Sequence, residues 1–180
     1  MQVTPTPFRG LLVIKPRVFT DDRGYFFEVW NKTQFEQAGV PSVFAQDNES
    51  GSVSNVLRGL HFQVPPFAQA KLVRVTQGAI IDVVVDLRRH EPTFGQHFKM
   101  RLDTENRLML FIPEGFAHGF LTLEDNTIFA YKCTQTYHRE SDRAIRWNDP
   151  ALGIDWETDS PILSEKDKNA PFFRDFDSPF

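Results

Sequence analysis

Polar and apolar positions along this chain alternate in short bursts, each closed by residues that favour turns. "GLLVIKP" (10–16) is an apolar run that stops at Pro16, where the ring removes a backbone donor. "DDRG" (21–24) predicts a turn leading into "YFFEVW" (25–30). Strand-like runs then follow in series: "SVFAQDNES", "VLRGLHFQ", "KLVRVTQ", "AIIDVVVDL", "QHFKMRL", "RLMLFIP", "HGFLTLE", "TIFAYKC" and "AIRWN". Their β-branched and aromatic content suits a pleated, half-buried surface. Gly78 between two runs, and "DTEN" (103–106) between two others, predict hairpin turns. About nine or ten strands at regular spacing predict an all-β sandwich or barrel.

Helical signals are sparse. "NKTQFEQAGV" (31–40) has Asn31 to cap a helix and Gly39 to end it. In the tail, "LSEKDK" predicts one or two turns, with Ser164 as cap and Asp167 in the capping-box position. No repeat, linker or low-complexity stretch interrupts the chain. Residues 1–180 are therefore expected to form a single domain with N-terminal strands and a C-terminal helical tail.

Composition narrows the function classes. Eighteen Phe and three Trp supply large rings for packing sheets or stacking on a flat ligand. A net charge of −4 argues against nucleic acid, whose phosphates demand a basic face. The short cluster "LRRH" (87–90) reads as solvated surface. Cys133 is the sole cysteine, so no intrachain disulfide is possible, and its strand-like setting predicts a buried, inert thiol. The start "MQVTPTPFRGLLVIKP" lacks the pattern of a signal peptide. No apolar run approaches the ~20 residues of a membrane span, and a cytoplasmic location without membrane partners is expected.

Chemistry must then come from few groups. Two imidazoles, His61 in "LHFQ" and His118 in "PEGFAHGF", lack a clear third ligand and make a poor metal site. His90, His97 and His138 fall near turns or strand ends and read as surface residues. No Gly-x-Ser-x-Gly elbow, phosphate-cradling loop or dinucleotide fingerprint is present. Acid–base chemistry remains, with His61, Lys71 and Tyr131 as candidates on strands. Strict alternation along "VLRGLHF" places Arg58 on one face and His61 on the other, unless Gly59 bends or bulges the strand. The pattern by itself leaves two readings open for His61: a hydrogen-bonded core histidine, or a proton-transfer group beside an anion clamp.

A resemblance goes further. "RGLHFQ", "QAKLVRVTQGAIIDVVVDLR", "FIPEGFAHGFLTL", "YKCTQTYHRESDRAIRWNDPALGIDW" and "LSEKDKNAP", in this order and spacing, closely resemble the dTDP-4-dehydrorhamnose 3,5-epimerases of dTDP-L-rhamnose synthesis. The likeness runs from "FTDDRGYFFEVW" to the "SEKD" segment. It implies a metal-free, cofactor-free cupin-type jelly roll of two antiparallel sheets with short peripheral helices, working as a homodimer on dTDP-4-dehydro-6-deoxy-glucose. By the same resemblance His61 is the general base, Asp167 its orienter, Tyr131 the general acid, and Lys71 the partner of the substrate's keto oxygen. Arg23, Glu28, Gln46, Asp47, Asn48, Arg58, His118, Tyr137, Asp142 and Lys168 correspond to substrate contacts, with Arg58 on phosphate and Tyr137 stacked on thymine. Glu28 sits oddly near a polyanion unless it accepts a hydrogen bond from the thymine imide. The motifs do not separate double epimerisation from a relative acting at C3 or C5 alone. A cupin 3,4-ketoisomerase and a non-catalytic dTDP-sugar binding module fit the residues less well.

Overall fold

The computed structural model describes residues 1–41 and 43–180. Its strands are β1 (Gln2–Pro5), β2 (Leu12–Lys15), β3 (Phe19–Asp21), β4 (Gly24–Phe26), β5 (Gln46–Ser52), β6 (Leu57–Gln63), β7 (Lys71–Gln77), β8 (Ala79–Asp86), β9 (His97–Asp103), β10 (Met109–Ile112), β11 (Phe116–Thr122), β12 (Thr127–Cys133) and β13 (Asp142–Ala144). Two short helices, α1 (Lys32–Gln37) and α2 (Glu165–Lys168), lie at the periphery. The strands form a six-stranded sheet, β1-β2-β10-β7-β12-β5, and a five-stranded sheet, β13-β6-β11-β8-β9, with β3 and β4 as a separate hairpin. Pairing within both sheets is antiparallel. The all-β, cupin-type expectation holds.

Strand alternation sorts the side chains into layers. On β10, Leu110 and Ile112 face the space between the sheets, while Met109 and Phe111 face outward. The inner layer joins Val73, Val75 and Phe129 of one sheet to Ile80, Val84, Phe116 and Phe120 of the other. Phe120 and Phe129 bridge it, with ring centroids 4.3 Å apart. Complete burial of each such side chain contributes ~1.5–3 kcal/mol. Phe35 of α1 fills the outer face of the six-stranded sheet, beside Ile14, Leu72 and Phe111. The tail covers the other sheet, where Phe176 packs edge-on against Phe62 at 5.0 Å.

Several expectations meet their elements directly. Asn31 caps α1 by accepting the Gln34 N–H, and Ser164 caps α2 by accepting that of Asp167. β7 and β12 coincide with "KLVRVTQ" and "TIFAYKC". "SVFAQDNES" becomes strand only from Gln46; its first residue, 42, lies outside the described residues. "AIRWN" contributes Ala144 alone to β13, because the Arg146 N–H leaves the ladder for the Pro171 carbonyl.

The hairpin expectations at Gly78 and "DTEN" are wrong. β7 and β8 do not pair with each other, and neither do β9 and β10, because each turn carries the chain from one sheet to the other. Gly78 does adopt a positive φ of 79°. A tight turn is thus legible locally, but the partner of the next strand is not. That choice belongs to the jelly-roll topology.

Candidate active site

β6 carries the main departure from regular alternation. Its three-residue step from Arg58 to His61 lies opposite the two-residue step from Phe120 to His118 on β11. One extra residue reverses the alternation, so Arg58 and His61 reach the same cavity instead of opposite faces. Gly59 makes this possible. Its φ is +142°, and a Cβ there would lie 2.5 Å from the Gly119 Cα and 3.1 Å from the His118 carbonyl oxygen. Only glycine combines that backbone with so close a neighbour.

Within the cavity, His61 Nε2 lies 2.5 Å from Asp167 Oδ1. The carboxylate is almost wholly buried, at 3% exposure, while the imidazole keeps 31%. The tail reaches this point because Ile162 pairs with the start of β6, through Leu57 N–H to Ile162 O at 3.0 Å and Ile162 N–H to Asn55 O at 2.7 Å. On the far side of α2, Arg146 holds the Ala170 and Pro171 carbonyls. Burial alone would raise the Asp167 pKa, but hydrogen bonds from His61 and Ser164, with the charges of His61 and Lys166, hold it below the usual value.

The opposite wall comes from the six-stranded sheet. Lys71 opens β7 and Tyr131 lies on neighbouring β12, with the ammonium 5.9 Å from the phenol ring centroid. Burial draws the Lys71 pKa down, although Cys133, Asp82 and Asp142 pull the other way. Burial also raises the Tyr131 pKa, so the phenol stays protonated at neutrality. His118 faces His61 in register, and its Nε2 lies 2.9 Å from Asp82 Oδ2. Burial pushes the His118 pKa down despite that carboxylate. Asp82 Oδ1 and Ser50 Oγ are buried without a hydrogen-bond partner, and Ser50 lines the cavity.

Two neighbouring hollows, of about 470 and 310 Å³, share His61, Lys71 and Tyr131 in their walls. Small-molecule sites usually measure ~300–1,000 Å³, so together they have room for a nucleotide sugar. A larger hollow of about 590 Å³ lies on the outer face of the six-stranded sheet, among Asp47, Glu49, Arg74 and Lys132. It lacks His61, Lys71 and Asp167, so size alone does not mark the site. Among the described residues no group of three or more His, Cys, Asp or Glu is placed to hold a metal ion.

A family model described as dTDP-4-dehydrorhamnose 3,5-epimerase matches residues 5–175. The enzyme of that name from Methanothermobacter thermautotrophicus is 53% identical over 91% of this chain and 90% of its own. The chain belongs to the dTDP-4-dehydrorhamnose 3,5-epimerase family. Solved structures agree. The Bacillus anthracis epimerase with TDP and PPi bound is 47% identical, with a TM-score of 0.93 over 96% of this chain and 99% of that one. The Legionella pneumophila enzyme, in complex with dTDP-4-keto-L-rhamnose, reaches 0.93 at 42% identity, covering 98% of this chain and 94% of that one. A 3′-monoepimerase from Streptomyces bikiniensis, in complex with dTDP-quinovose, is more distant, at 35% identity and a TM-score of 0.88 over 93% and 86% of the two chains.

Against this family background the site residues divide into those the fold gathers and those it does not. His61, Asp167, Lys71, Tyr131, Arg58 and His118 border one hollow. Gln46, Asn48, Tyr137 and Asp142 border the other. Gln46 accepts the Tyr137 N–H at 2.7 Å, fixing the base of an aromatic that is 57% exposed. Arg58 rests against Ser52 Oγ and the Gly51 carbonyl at the rim. Asp47 points outward to Lys132. Arg23, in the β3–β4 turn, pairs with Asp21, and Glu28 accepts from Asn31 and Gln34; neither lines the cavity. Lys168 pairs with Glu165 on the exposed side of α2, while Lys166 joins Asp142 in the cavity wall. Sequence reasoning passed over Asp82 and Lys166. Asp82 had a signal, an acid inside the apolar run "AIIDVVVDL"; Lys166 had none.

Proposed function

We propose that this family member inverts carbons 3 and 5 of dTDP-4-dehydro-6-deoxy-α-D-glucose to give dTDP-4-dehydro-β-L-rhamnose, using His61 as base and Tyr131 as acid. One observation carries the reading: His61 stands on the five-stranded sheet and Tyr131 on the six-stranded sheet, across a single cavity. A hexose held between them meets a base on one face and a protonated phenol on the other, as inversion requires.

The chemistry follows from the substrate. Both carbons flank the C4 ketone, so loss of either proton places charge on the same oxygen. His61 Nε2–H donates to Asp167 Oδ1, which leaves Nδ1 free to take the proton. The carboxylate behind the ring then stabilises the imidazolium that forms. Such general acid–base catalysis contributes ~10²–10⁴-fold. Lys71 serves the enolate oxygen, and its depressed pKa makes it a better proton donor there. By analogy with oxyanion-hole donors, that contact supplies ~3 kcal/mol. Arg58, its guanidinium steadied by Ser52, takes the diphosphate at the rim. Tyr137 stacks on the thymine, and Gln46, Asn48, Asp142 and His118 complete the walls.

Inversion at one carbon only is the competing reading. The closer relatives favour the double reaction, since the monoepimerase stands at 35% identity against 53% for the archaeal 3,5-epimerase. Incubation of the substrate in D2O, followed by NMR, tests the choice. Deuterium at both carbons supports the proposal, label at one carbon supports a monoepimerase, and no label at either supports a binding module. His61→Ala is expected to abolish exchange at both carbons while dTDP still binds.

We also read the chain as one domain that assembles into a homodimer in the cytoplasm. The dimer is favoured by the β3–β4 hairpin, which leaves Phe19, Tyr25 and Phe26 exposed at 49%, 61% and 65%. Arg23 and Glu28 belong to this same segment, which suits a nucleotide subsite completed by a second copy. The cytoplasm suits a nucleotide-sugar substrate. Among the described residues no helix is long and apolar enough to cross a membrane.

A further inference from the structure

Asp167 offers two carboxylate oxygens, and His61 occupies one of them. The other, Oδ2, accepts a hydrogen bond from the Ser164 hydroxyl at 2.8 Å. The same hydroxyl oxygen accepts the Asp167 backbone N–H at 3.1 Å. A serine hydroxyl has a single proton to donate, and here it goes to the dyad carboxylate. Capping a helix explains the second contact but not the first. In a capping box the side chain three residues along turns back to the backbone N–H of the cap. Asp167 is spread instead between a hydroxyl and an imidazole. The carboxylate plane is therefore pinned at both ends, and a rotation that released His61 would also strip a buried oxygen of its donor.

We infer that Ser164 is a positioning residue for the epimerisation: its hydroxyl locks Asp167 so that the carboxylate holds His61 with its free ring nitrogen toward the sugar. The inference rests on the reading of His61 as the base. The charged and titratable groups around the pair are Lys166 on α2, Arg58 on β6, Lys71 on β7, Tyr131 and Cys133 on β12, Tyr137 beyond it, Asp142 on β13, and the His118–Asp82 pair on β11 and β8. None of these donates to Asp167 Oδ2, whose donor is the Ser164 hydroxyl. Without the Ser164 proton, that oxygen carries its charge unscreened within the protein. The carboxylate then holds the imidazolium more firmly or takes up a proton itself. Either way the base is silenced to a higher pH.

The test compares Ser164→Ala, Ser164→Gly and Ser164→Thr in the full-length enzyme. Glycine is a tolerable cap without a hydroxyl, and threonine restores both contacts. Ala and Gly are expected to lower kcat about tenfold or more, the effect of losing a hydrogen bond to a charged group, with KM within about twofold. The acid limb of their kcat/KM profiles is expected to move to higher pH, and Thr to return both values toward wild type. A purely structural cap would reduce the folded fraction, and with it the amplitude, but leave the acid limb in place. Wild-type kcat in the Ala variant, or an unmoved acid limb in both hydroxyl-free variants, overturns the inference. If His61→Ala still exchanges deuterium, the base assignment falls and this inference with it. If His61→Ala is inert and the limb does not move, only the role of Ser164 falls.

Discussion

Replacing Gly59 by alanine perturbs the backbone feature that brings Arg58 and His61 together. The added methyl would sit 2.5 Å from the Gly119 Cα, a backbone atom that cannot rotate aside, at a residue whose φ is +142°. Holding a non-glycine residue in such a conformation costs ~1–3 kcal/mol. Displacing a packed neighbour costs a further ~1–3 kcal/mol. The sum, roughly 2–6 kcal/mol, is a large share of the ~5–15 kcal/mol that stabilises a typical domain. For a chain of this size each kcal/mol lowers Tm by ~2–4 °C, so a fall of roughly 4–24 °C is expected. Thermal unfolding followed by circular dichroism measures it, and deuterium exchange into the substrate reports the site. A strand that escapes the clash by losing its bulge turns Arg58 away from His61, so exchange should fall further than folded fraction accounts for. Gly153→Ala is the control. Gly153 also has a positive φ, +59°, but nothing lies within 4 Å of its added Cβ, so conformational strain acts there without the clash. A Gly59→Ala protein with Tm within about 2 °C of wild type and undiminished exchange would refute the argument.

Two further outcomes follow from the same geometry. Tyr131→Phe removes the phenol proton but leaves the ring against Phe129, so proton removal by His61 should continue while inversion fails; full epimerisation by this variant would contradict the acid role. Phe26→Asp places a charge in the exposed hairpin patch at no cost to the core. In sedimentation velocity the wild type should run at twice the chain mass of 20.8 kDa and the variant at the chain mass, whereas a variant that dimerises like wild type would clear this hairpin of an interface role.

The Lys71 and Tyr131 strands could be read in full from the sequence, because each has a clean run of apolar and β-branched residues bounded by turn residues. The helix caps were equally legible, since a cap depends on side chains within three or four positions of one another. β13 was placed poorly because the chain just beyond it leaves β6, where the Arg146 N–H turns to the tail carbonyl of Pro171. The turns at Gly78 and "DTEN" were visible as turns, but not as crossings between sheets. A turn reports only its own backbone, whereas the next strand's partner depends on which apolar face finds the other.

The same distinction governs the site. By itself the sequence determined the residue types and their order: the Gly that permits a bulge, the imidazole beyond it, the capped Asp in the tail, and the family motifs that contain them. Only the tertiary structure decided that Arg58 and His61 share a face, since that depends on one extra residue measured against β11. It also set Asp167 behind His61, across 106 positions of chain, by pairing Ile162 with β6. Local sequence encodes short-range contacts because neighbouring residues meet whatever the fold does. Contacts between distant segments exist only once both sheets have closed, and the chemistry of this cavity is made of those.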